Sequence, residues 1–400
     1  EFCSIYAFQI ITSVVMIITY LLYVVIFNNQ YKMIALIQIM YVISSIVDIN
    51  WFFFGIEKFK LTITRNTIIK VVSLIMIFIF VKTPKDLWKY TTILAGSTLF
   101  SNIFLFSFIR KYINIVKATK KDILKHVKPN LILFLPVIAV SIYKIMDKIM
   151  LGTLSSITEL GYYENAEKIT QVPIGIITAL GTVMMPRITN MISNHRDEDV
   201  RYVLRKTMPF TMFMTFPMVF GLVAISNDFS MLFFGKEFQK CILLIQLLSI
   251  TIIFLAWGNV IRMQYLIPKE KDKKYAISAF IGAVVNFIMN CIFIPKYASI
   301  GACIGTIVAE FFVVFYQSWT IRNELPLKEY IKSSIGFLVK SIIMFVIVIV
   351  IGKLIKEDKL KRMVIQVVSG MLVYGILNIK YILNNFQIKR IISKAKGGLT

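Results

Sequence analysis

The stretch SIYAFQIITSVVMIITYLLYVVIF, residues 4–27, decides the fold because it is long, apolar and free of charged residues. A helix needs roughly 17–25 mainly apolar residues to cross a bilayer. Further runs of this kind follow, separated by charged connectors. They cover 34–56, 66–82, 88–109, 129–151, 162–186, 207–226, 240–262, 275–295, 299–321, 333–352 and 363–383. The sequence therefore predicts an all-α, polytopic membrane protein with about 12 transmembrane helices.

Composition and charge agree with this fold and exclude several classes of protein. Of 400 residues, 58% are hydrophobic and 16% are charged, whereas about 25% are charged in soluble domains. Lys and Arg outnumber Asp and Glu by 45 to 21, and they concentrate in alternate connectors, as the positive-inside rule describes. We therefore expect both termini in the cytoplasm, no nucleic-acid partner and no soluble enzyme. The basic residues at 353–362 depart from this pattern and leave the orientation of the last two helices open.

The longest basic connector divides the chain. Residues 111–128 form a predicted cytoplasmic linker between an N-terminal bundle of four spans, 1–110, and a C-terminal six-helix bundle, 129–321. An additional helix pair and a basic tail occupy 322–400. Many transporters consist of two such bundles related by pseudo-symmetry. If both bundles had six spans, the first would lack two, so we expect that an N-terminal piece is missing.

Cysteine and histidine give no sign of a reactive site. Cys3, Cys241, Cys291 and Cys303 form no Cys-x-x-Cys pair, and the two histidines lie in charged connectors. Zinc sites and disulfide frameworks need closer spacing or histidine partners. We expect no catalytic residue, no metal site and no cofactor, apart from coupling to a proton or sodium ion.

Two neighbouring spans carry ionisable side chains, each set on one helical face. Spacings of i, i+3, i+4 and i+7 place such residues on one face, and charges inside a membrane are costly enough to suggest function. The residues are Lys144, Asp147 and Lys148 in the first span, and Glu164, Glu167, Lys168 and Gln171 in the second. They form either local salt bridges with side chains reaching the interface, or the wall of a cavity for a polar or anionic substrate.

Weaker polar patterns occur in three later spans. Asn286 and Asn290 continue a four-residue repeat of small and polar residues, which is typical of helix packing and also fits a substrate path. Glu310 and Gln317 share a helical face; a mid-span Glu is either an ion-coupling group or a buried hydrogen-bonded one. Lys340 is a lone cation that can also extend to the membrane surface.

Three ordered stretches carry a resemblance to a known family. The first is Asp48-Ile-Asn-Trp51-Phe-Phe-Phe-Gly-Ile-Glu57, followed by Arg65-Asn66; the others are 144–152 and 161–168, with 181–187 after them. Together they resemble the bacterial polysaccharide repeat-unit flippases of O-antigen and capsule type. This family lies in the multidrug/oligosaccharidyl-lipid/polysaccharide exporter superfamily. On this resemblance, Asp48, Trp51 and Glu57 are family motif residues, and our first span corresponds to the third helix of the family.

The resemblance implies a transporter and no enzyme. Such flippases move undecaprenyl-pyrophosphate-linked oligosaccharide from the inner to the outer leaflet of the bacterial plasma (inner) membrane by alternating access. The implied partners are the lipid-linked oligosaccharide, membrane lipids, and polysaccharide polymerase or export machinery. The open alternatives are a multidrug or organic-cation antiporter of the same superfamily and a peptidoglycan-precursor flippase.

Such a substrate requires cations for the pyrophosphate, polar groups for the sugars and acids for ion coupling, because unpaired charges and hydroxyls are costly to bury. The candidate cations are Lys144, Lys148, Lys168 and Lys340. The candidate sugar ligands are Gln171, Asn286, Asn290 and Gln317. The candidates for ion coupling are Asp147, Glu164, Glu167 and Glu310.

Overall fold

The computed structural model describes residues 1–27, 31–56, 58–113, 116, 119–355 and 358–384. Within these ranges, the side chains at 27, 59, 110, 132, 133, 135–140 and 142–144 lie outside the description. Every regular element in the described part is helical, and nine of its helices are long and apolar enough to cross a membrane. The predicted all-α, polytopic membrane fold is therefore confirmed.

The chain forms two compact units, Glu1–Ile138 and Ala139–Thr400. The first contains α1 to α6 and the beginning of α7. Its helices are α1 (Phe2–Phe27), α2 (Lys32–Ser44), α3 (Asn50–Gly55), α4 (Phe59–Phe80), α5 (Leu87–Ser107) and α6 (Lys120–Leu124). The boundary between the units lies within α7 (Val127–Leu154).

The second unit contains the rest of α7 and seven further helices. They are α8 (Ile157–Ser193), α9 (Asp197–Phe233), α10 (Lys240–Ile261), α11 (Asp272–Tyr297), α12 (Ser299–Thr320), α13 (Leu327–Leu354) and α14 (Lys359–Leu377). A five-residue π-helix, Arg262–Leu266, continues α10. Helices α8 and α9 have 37 residues each, roughly 55 Å of helix. They therefore extend well beyond the predicted spans 162–186 and 207–226.

Residues 34–56 do not form the single span that the sequence predicts. Helix α2 ends at Ser44, and α3 starts only at Asn50. In the break, Asp48 Oδ1 accepts hydrogen bonds from the backbone and side-chain nitrogens of Asn50 at 3.0 and 2.7 Å. The Gln9 amide donates to the carbonyls of Ser45 (2.6 Å) and Asp48 (2.8 Å). These side chains satisfy backbone groups that a continuous helix would pair, so the break is stable in an apolar setting.

The core of the second unit is built around α10. Half of its most apolar stretch is buried, and Ile252 and Ala256 pack with Met208 and Met212 of α9. Helices α11 and α12 approach so closely that a Cβ on Gly301 would lie 2.3 Å from the Phe293 carbonyl oxygen. A side chain there would push the two backbones apart. This tight packing fixes the polar residues of α11 and α12 relative to each other.

Candidate transport cavity

A cavity of about 840 Å³ lies within the second unit, between α7, α8, α10, α11 and α12. Its walls combine aliphatic side chains with charged and polar ones. The predicted site residues among its lining are Asp147, Lys148, Glu167, Lys168, Gln171, Asn286, Glu310 and Gln317. Predicted residues from four helices, α7, α8, α11 and α12, thus line one space.

The cavity has two ends, defined by the direction of the helices. Helices α8, α10 and α12 begin on the same side, because Glu159 bonds both Lys240 (2.7 Å) and Ser299 (2.5 Å). Asp147 and Asn286 lie toward this side, and Ser278 lies toward the other. Eight residues along α11 separate 278 from 286, which corresponds to roughly 12 Å. The two ends can therefore hold different groups at the same time.

At the first end, Asp147 is the centre of a hydrogen-bonded cluster. It is 7% exposed. The Tyr163 hydroxyl (3.0 Å) and the Thr306 hydroxyl (2.9 Å) donate to its Oδ2. The Asn286 amide (2.8 Å) and the Asn290 amide (2.6 Å) donate to Oδ1. Four hydrogen-bond donors from α8, α11 and α12 therefore converge on one buried carboxyl group.

Among the described residues, the cluster contains an acceptor atom that accepts no hydrogen bond. Asn290 Oδ1 is buried without a hydrogen-bond partner, and no described Lys or Arg side chain forms an ion pair with Asp147. Carboxylate, amide and hydroxyl oxygens are the ligands that hard cations prefer. The cluster around Asp147 therefore contains the kinds of oxygen ligand that a small cation requires. Within the described residues, no group of three or more His, Cys, Asp or Glu forms a metal cluster.

The lysines beside this cluster are paired with carboxylates. Lys148 Nζ lies 2.9 Å from Glu167 and links α7 to α8, and Lys168 Nζ lies 3.5 Å from Glu164 within α8. These contacts match the salt-bridge interpretation of the two charged faces. Both pairs are partly exposed, so solvent weakens them, and their lysines are already partly neutralised.

The other candidate residues are placed less uniformly. Gln171 is exposed at the cavity, whereas Gln317 is buried and donates to the Ser278 hydroxyl at 2.9 Å. Lys340 does not line the cavity; its ammonium donates to Asn378 Oδ1 at 3.0 Å and lies over the Phe337 ring. The Lys144 side chain lies outside the described residues.

Several residues of the cavity lining carry no signal in the sequence that marks them as functional. Tyr163 looked like an ordinary aromatic residue, yet it is fully buried and bonded to Asp147. Arg262 and Tyr275 stand at the ends of the predicted spans 240–262 and 275–295, where the sequence indicated no role for either. In the structure both line the second end of the cavity, with Thr178 and Ser278. Only the π-helix that begins at Arg262 reveals this position, and no sequence pattern predicted it.

The family motif in the first unit stabilises the helix break. Arg65 is 4% exposed and donates to the Ser101 carbonyl (2.9 Å) and to Asn50 Oδ1 (2.8 Å). Trp51 donates from its indole nitrogen to Gln9 Oε1 at 2.9 Å. Asp48, Asn50 and Arg65 therefore form one connected network. Glu57 lies outside the described residues.

Near the second end of the cavity, outside the membrane-spanning segments, Glu324 contacts two lysines and a tyrosine. Lys271 and the Tyr265 hydroxyl donate to Glu324, and Lys274 lies 3.3 Å from it. Burial alone would raise the pKa of this carboxyl group, but the hydrogen bonds from Lys271, Tyr265 and Lys274 lower the pKa of Glu324 to about 2. The group therefore stays ionised and connects the turn between α10 and α11 to the segment that follows α12.

Comparisons with known proteins agree with this architecture. A family model described as "Polysaccharide biosynthesis protein" matches residues 2–192. A putative O-antigen transporter from Shigella dysenteriae is 24% identical over 296 residues, 72% of each chain. The probable low-salt glycan biosynthesis flippase Agl15 from Haloferax volcanii is 22% identical over 246 residues, 60% of this chain and 50% of its own length.

Solved structures show the same fold. The lipid II flippase MurJ in its inward closed conformation superposes with a TM-score of 0.76 at 20% identity, over 95% of this chain and 83% of that one. An outward-facing multidrug resistance transporter of the MATE family gives 0.52 at 13% identity, over 80% and 77%. The resemblance to polysaccharide flippases that the sequence predicts is therefore confirmed.

Proposed function

We propose that the chain is a flippase that moves undecaprenyl-pyrophosphate-linked oligosaccharide repeat units from the inner to the outer leaflet of the bacterial plasma membrane, for polysaccharide export. The observation that carries this proposal is the cavity of about 840 Å³ with charged and polar walls inside a membrane-spanning unit. Sugars and phosphates are costly to place in hydrocarbon without partners. A polar cavity removes that cost during passage.

Ion coupling is assigned to Asp147. Its carboxylate is buried, hydrogen-bonded by four donors and without a described cationic partner. A proton or a sodium ion would neutralise it and shift the balance between two conformations, because a ligand favours the state that binds it more tightly. Glu164 and Glu167 act instead as partners of the lysines, and Glu310 stays a second candidate on the cavity wall.

Substrate contacts are assigned to the polar residues that face the cavity. Lys148, Lys168, Gln171 and Gln317 line it and are candidates for contacts with the headgroup and its sugars. Asn286 and Asn290 donate to Asp147, so their first role is to hold that carboxylate. Alternating access by rigid-body motion of two bundles is the mechanism that such transporters use. We place both termini in the cytoplasm and expect polymerase or export machinery as partners.

The test is deletion of the gene in its host, followed by mass spectrometry of undecaprenyl-pyrophosphate-linked glycans. We expect a complete repeat unit to accumulate while surface polysaccharide is lost. Plasmid-borne wild-type chain should reverse both effects, and Asp147→Asn should not. An unchanged pool of lipid-linked repeat units, in a host without a second flippase gene, would exclude this substrate.

A peptidoglycan-precursor flippase is the second candidate, because the fold superposes on the lipid II flippase MurJ. The same mass spectrometry separates the two, since lipid II rather than a repeat unit would then accumulate. Rescue of a strain depleted of its own lipid II flippase would support this alternative.

A further inference from the structure

Among the described side chains, one cavity cation has no carboxylate partner. Lys148 and Lys168 form ion pairs with Glu167 and Glu164. Arg262 lines the same cavity, yet among the described side chains no Asp or Glu forms an ion pair with it. Arg262 is half-buried at the cavity, and a partly desolvated cation is costly unless something compensates its charge. A bound anion is therefore attracted most strongly at the second end of the cavity.

The guanidinium of Arg262 is held by an aromatic ring. Its central carbon lies 5.8 Å from the centroid of the Tyr275 ring, at the start of α11. A ring attracts a guanidinium through its quadrupole and leaves the N–H groups available for hydrogen bonds. Tyr275 thus orients Arg262 without consuming its donors. A carboxylate partner, in contrast, would have occupied the N–H donors of the guanidinium.

The backbone at this point is a π-helix. The Ile267 amide donates to the Arg262 carbonyl at 3.0 Å, five residues back along the chain. Each added residue turns a helix by about 100°, so the wider turn changes the direction of the side chains that follow. Gln264, Tyr265 and Leu266 are buried while Arg262 remains at the cavity. Turns of this type are frequent at functional sites.

A polar acceptor lies at the same end. Gln317 is 1% exposed; its amide nitrogen donates to Ser278, and its Oε1 has no hydrogen-bond partner. That oxygen is buried beside Gly258 of α10, so it accepts a sugar hydroxyl only after the Gln317 side chain rotates toward the cavity. A cation and an unused acceptor together match a phosphate that is esterified to a sugar. Asp147, at the other end, would repel an anion there.

We propose that Arg262 binds the diphosphate group of the transported glycolipid, with Tyr275 orienting the guanidinium and Gln317 accepting a hydroxyl of the first sugar. The assignment deepens the proposed function and rests on it. It also moves the diphosphate away from Lys148 and Lys168, whose charges are shared with carboxylates. A guanidinium can bind two phosphate oxygens in parallel, which an ammonium cannot do.

The test is a binding measurement on the purified full chain in lipid nanodiscs, with undecaprenyl pyrophosphate as the probe and inorganic pyrophosphate as the competitor. We expect Arg262→Gln to weaken binding at least tenfold and Arg262→Lys to weaken it less. Arg322→Gln is the matched control. Arg322 also lies over an aromatic ring, 4.1 Å from the Trp319 centroid, but it is exposed and does not line the cavity.

Inorganic pyrophosphate separates recognition of the headgroup from recognition of the lipid tail. Competition by millimolar pyrophosphate in the wild type, and its loss in Arg262→Gln, supports the diphosphate site. Wild-type affinity in Arg262→Gln, or an equal loss in Arg322→Gln, overturns it. If Arg262→Gln melts earlier than the wild type, Arg262→Lys carries the test because it keeps the charge.

Binding does not depend on transport, so the two proposals can fail separately. Binding that depends on Arg262, together with an unchanged pool of repeat units after gene deletion, would leave the diphosphate site standing and exclude the proposed cargo. Accumulation of the repeat unit with Arg262-independent binding would leave the flippase and remove this site.

Discussion

A single methyl group at Gly305 should disrupt the Asp147 cluster. A Cβ built on Gly305 lies 2.3 Å from Asn290 Oδ1 and 3.2 Å from its Cγ. Ordinary contacts start near 3.4 Å, so in Gly305→Ala the Asn290 amide must move by about an ångström. Its hydrogen bonds to Asp147 (2.6 Å) and Asn286 (3.1 Å) would then be lost or lengthened.

The magnitude follows from two opposing terms. A hydrogen bond to a charged group contributes about 1.5–3 kcal/mol. Replacing a helical Gly by Ala gives back about 0.5–1 kcal/mol. We therefore expect a net loss of roughly 1–2 kcal/mol in the free energy of unfolding. Gly336→Ala is the matched control, because a Cβ there meets no atom within 4 Å; it should be neutral or stabilising.

The assay is thermal unfolding of the purified variants in detergent, followed by intrinsic fluorescence. Gly305→Ala should melt earlier than the wild type, and Gly336→Ala should not. In an Asn290→Ala background the obstructing amide is absent, so Gly305→Ala should not lower the melting temperature further. An equal cost in both backgrounds, or a stable Gly305→Ala, would refute the reasoning.

Three further predictions concern the same unit. Asp147→Asn keeps the shape of the carboxylate but removes its charge. Any dependence of glycolipid transport on a proton or sodium gradient should therefore vanish. An ion-jump assay in proteoliposomes measures this dependence. Lys148→Glu or Glu167→Lys alone should lower the melting temperature, whereas the double swap should restore most of it, because the 2.9 Å pair is rebuilt in reverse. Glu324→Gln should lower the melting temperature equally at pH 6 and pH 8. The pKa of Glu324 is lowered to about 2, so its stabilisation is present above its ordinary pKa of 4.5 and disappears only as the pH falls toward 2.

The sequence predicted helix positions well and helix interruptions poorly. Uncharged runs such as 4–27 determine a span by length and polarity alone, and α1 covers that run. The break between α2 and α3 depends on Gln9, which lies far away in the sequence and satisfies the carbonyls of the break. Such a contact has no local signal. The ends of α8 and α9 were missed because their polar continuations stay helical beyond the apolar stretch.

The cavity was predicted in parts. Helical periodicity placed Asp147 with its neighbours on one face and Asn286 with Asn290 on another, but it gave no reason to join them. Hydrogen bonds from Asn286 and Asn290 to Asp147 connect α11 to α7. The close packing of α11 against α12 at Gly305 fixes the position of Asn290. The position of Arg262 at the cavity could not be predicted from the sequence, because a cation at the end of an apolar run is usually an interfacial anchor. Its position depends on a π-turn.

The two ends of the cavity cannot act independently if both are charged. Asp147 and Arg262 lie at opposite ends, and the spacing along α11 and α12 separates those ends by roughly 12–16 Å. At an effective dielectric constant of about 20, two unit charges 14 Å apart interact by about 1 kcal/mol. A cation that neutralises Asp147 removes a repulsion of that size from a diphosphate at Arg262, which is a factor of about five in affinity for each phosphate charge. The coupling is reciprocal, so a bound diphosphate strengthens cation binding equally. A transporter with this arrangement can link ion and glycolipid through charge alone, without direct contact between them.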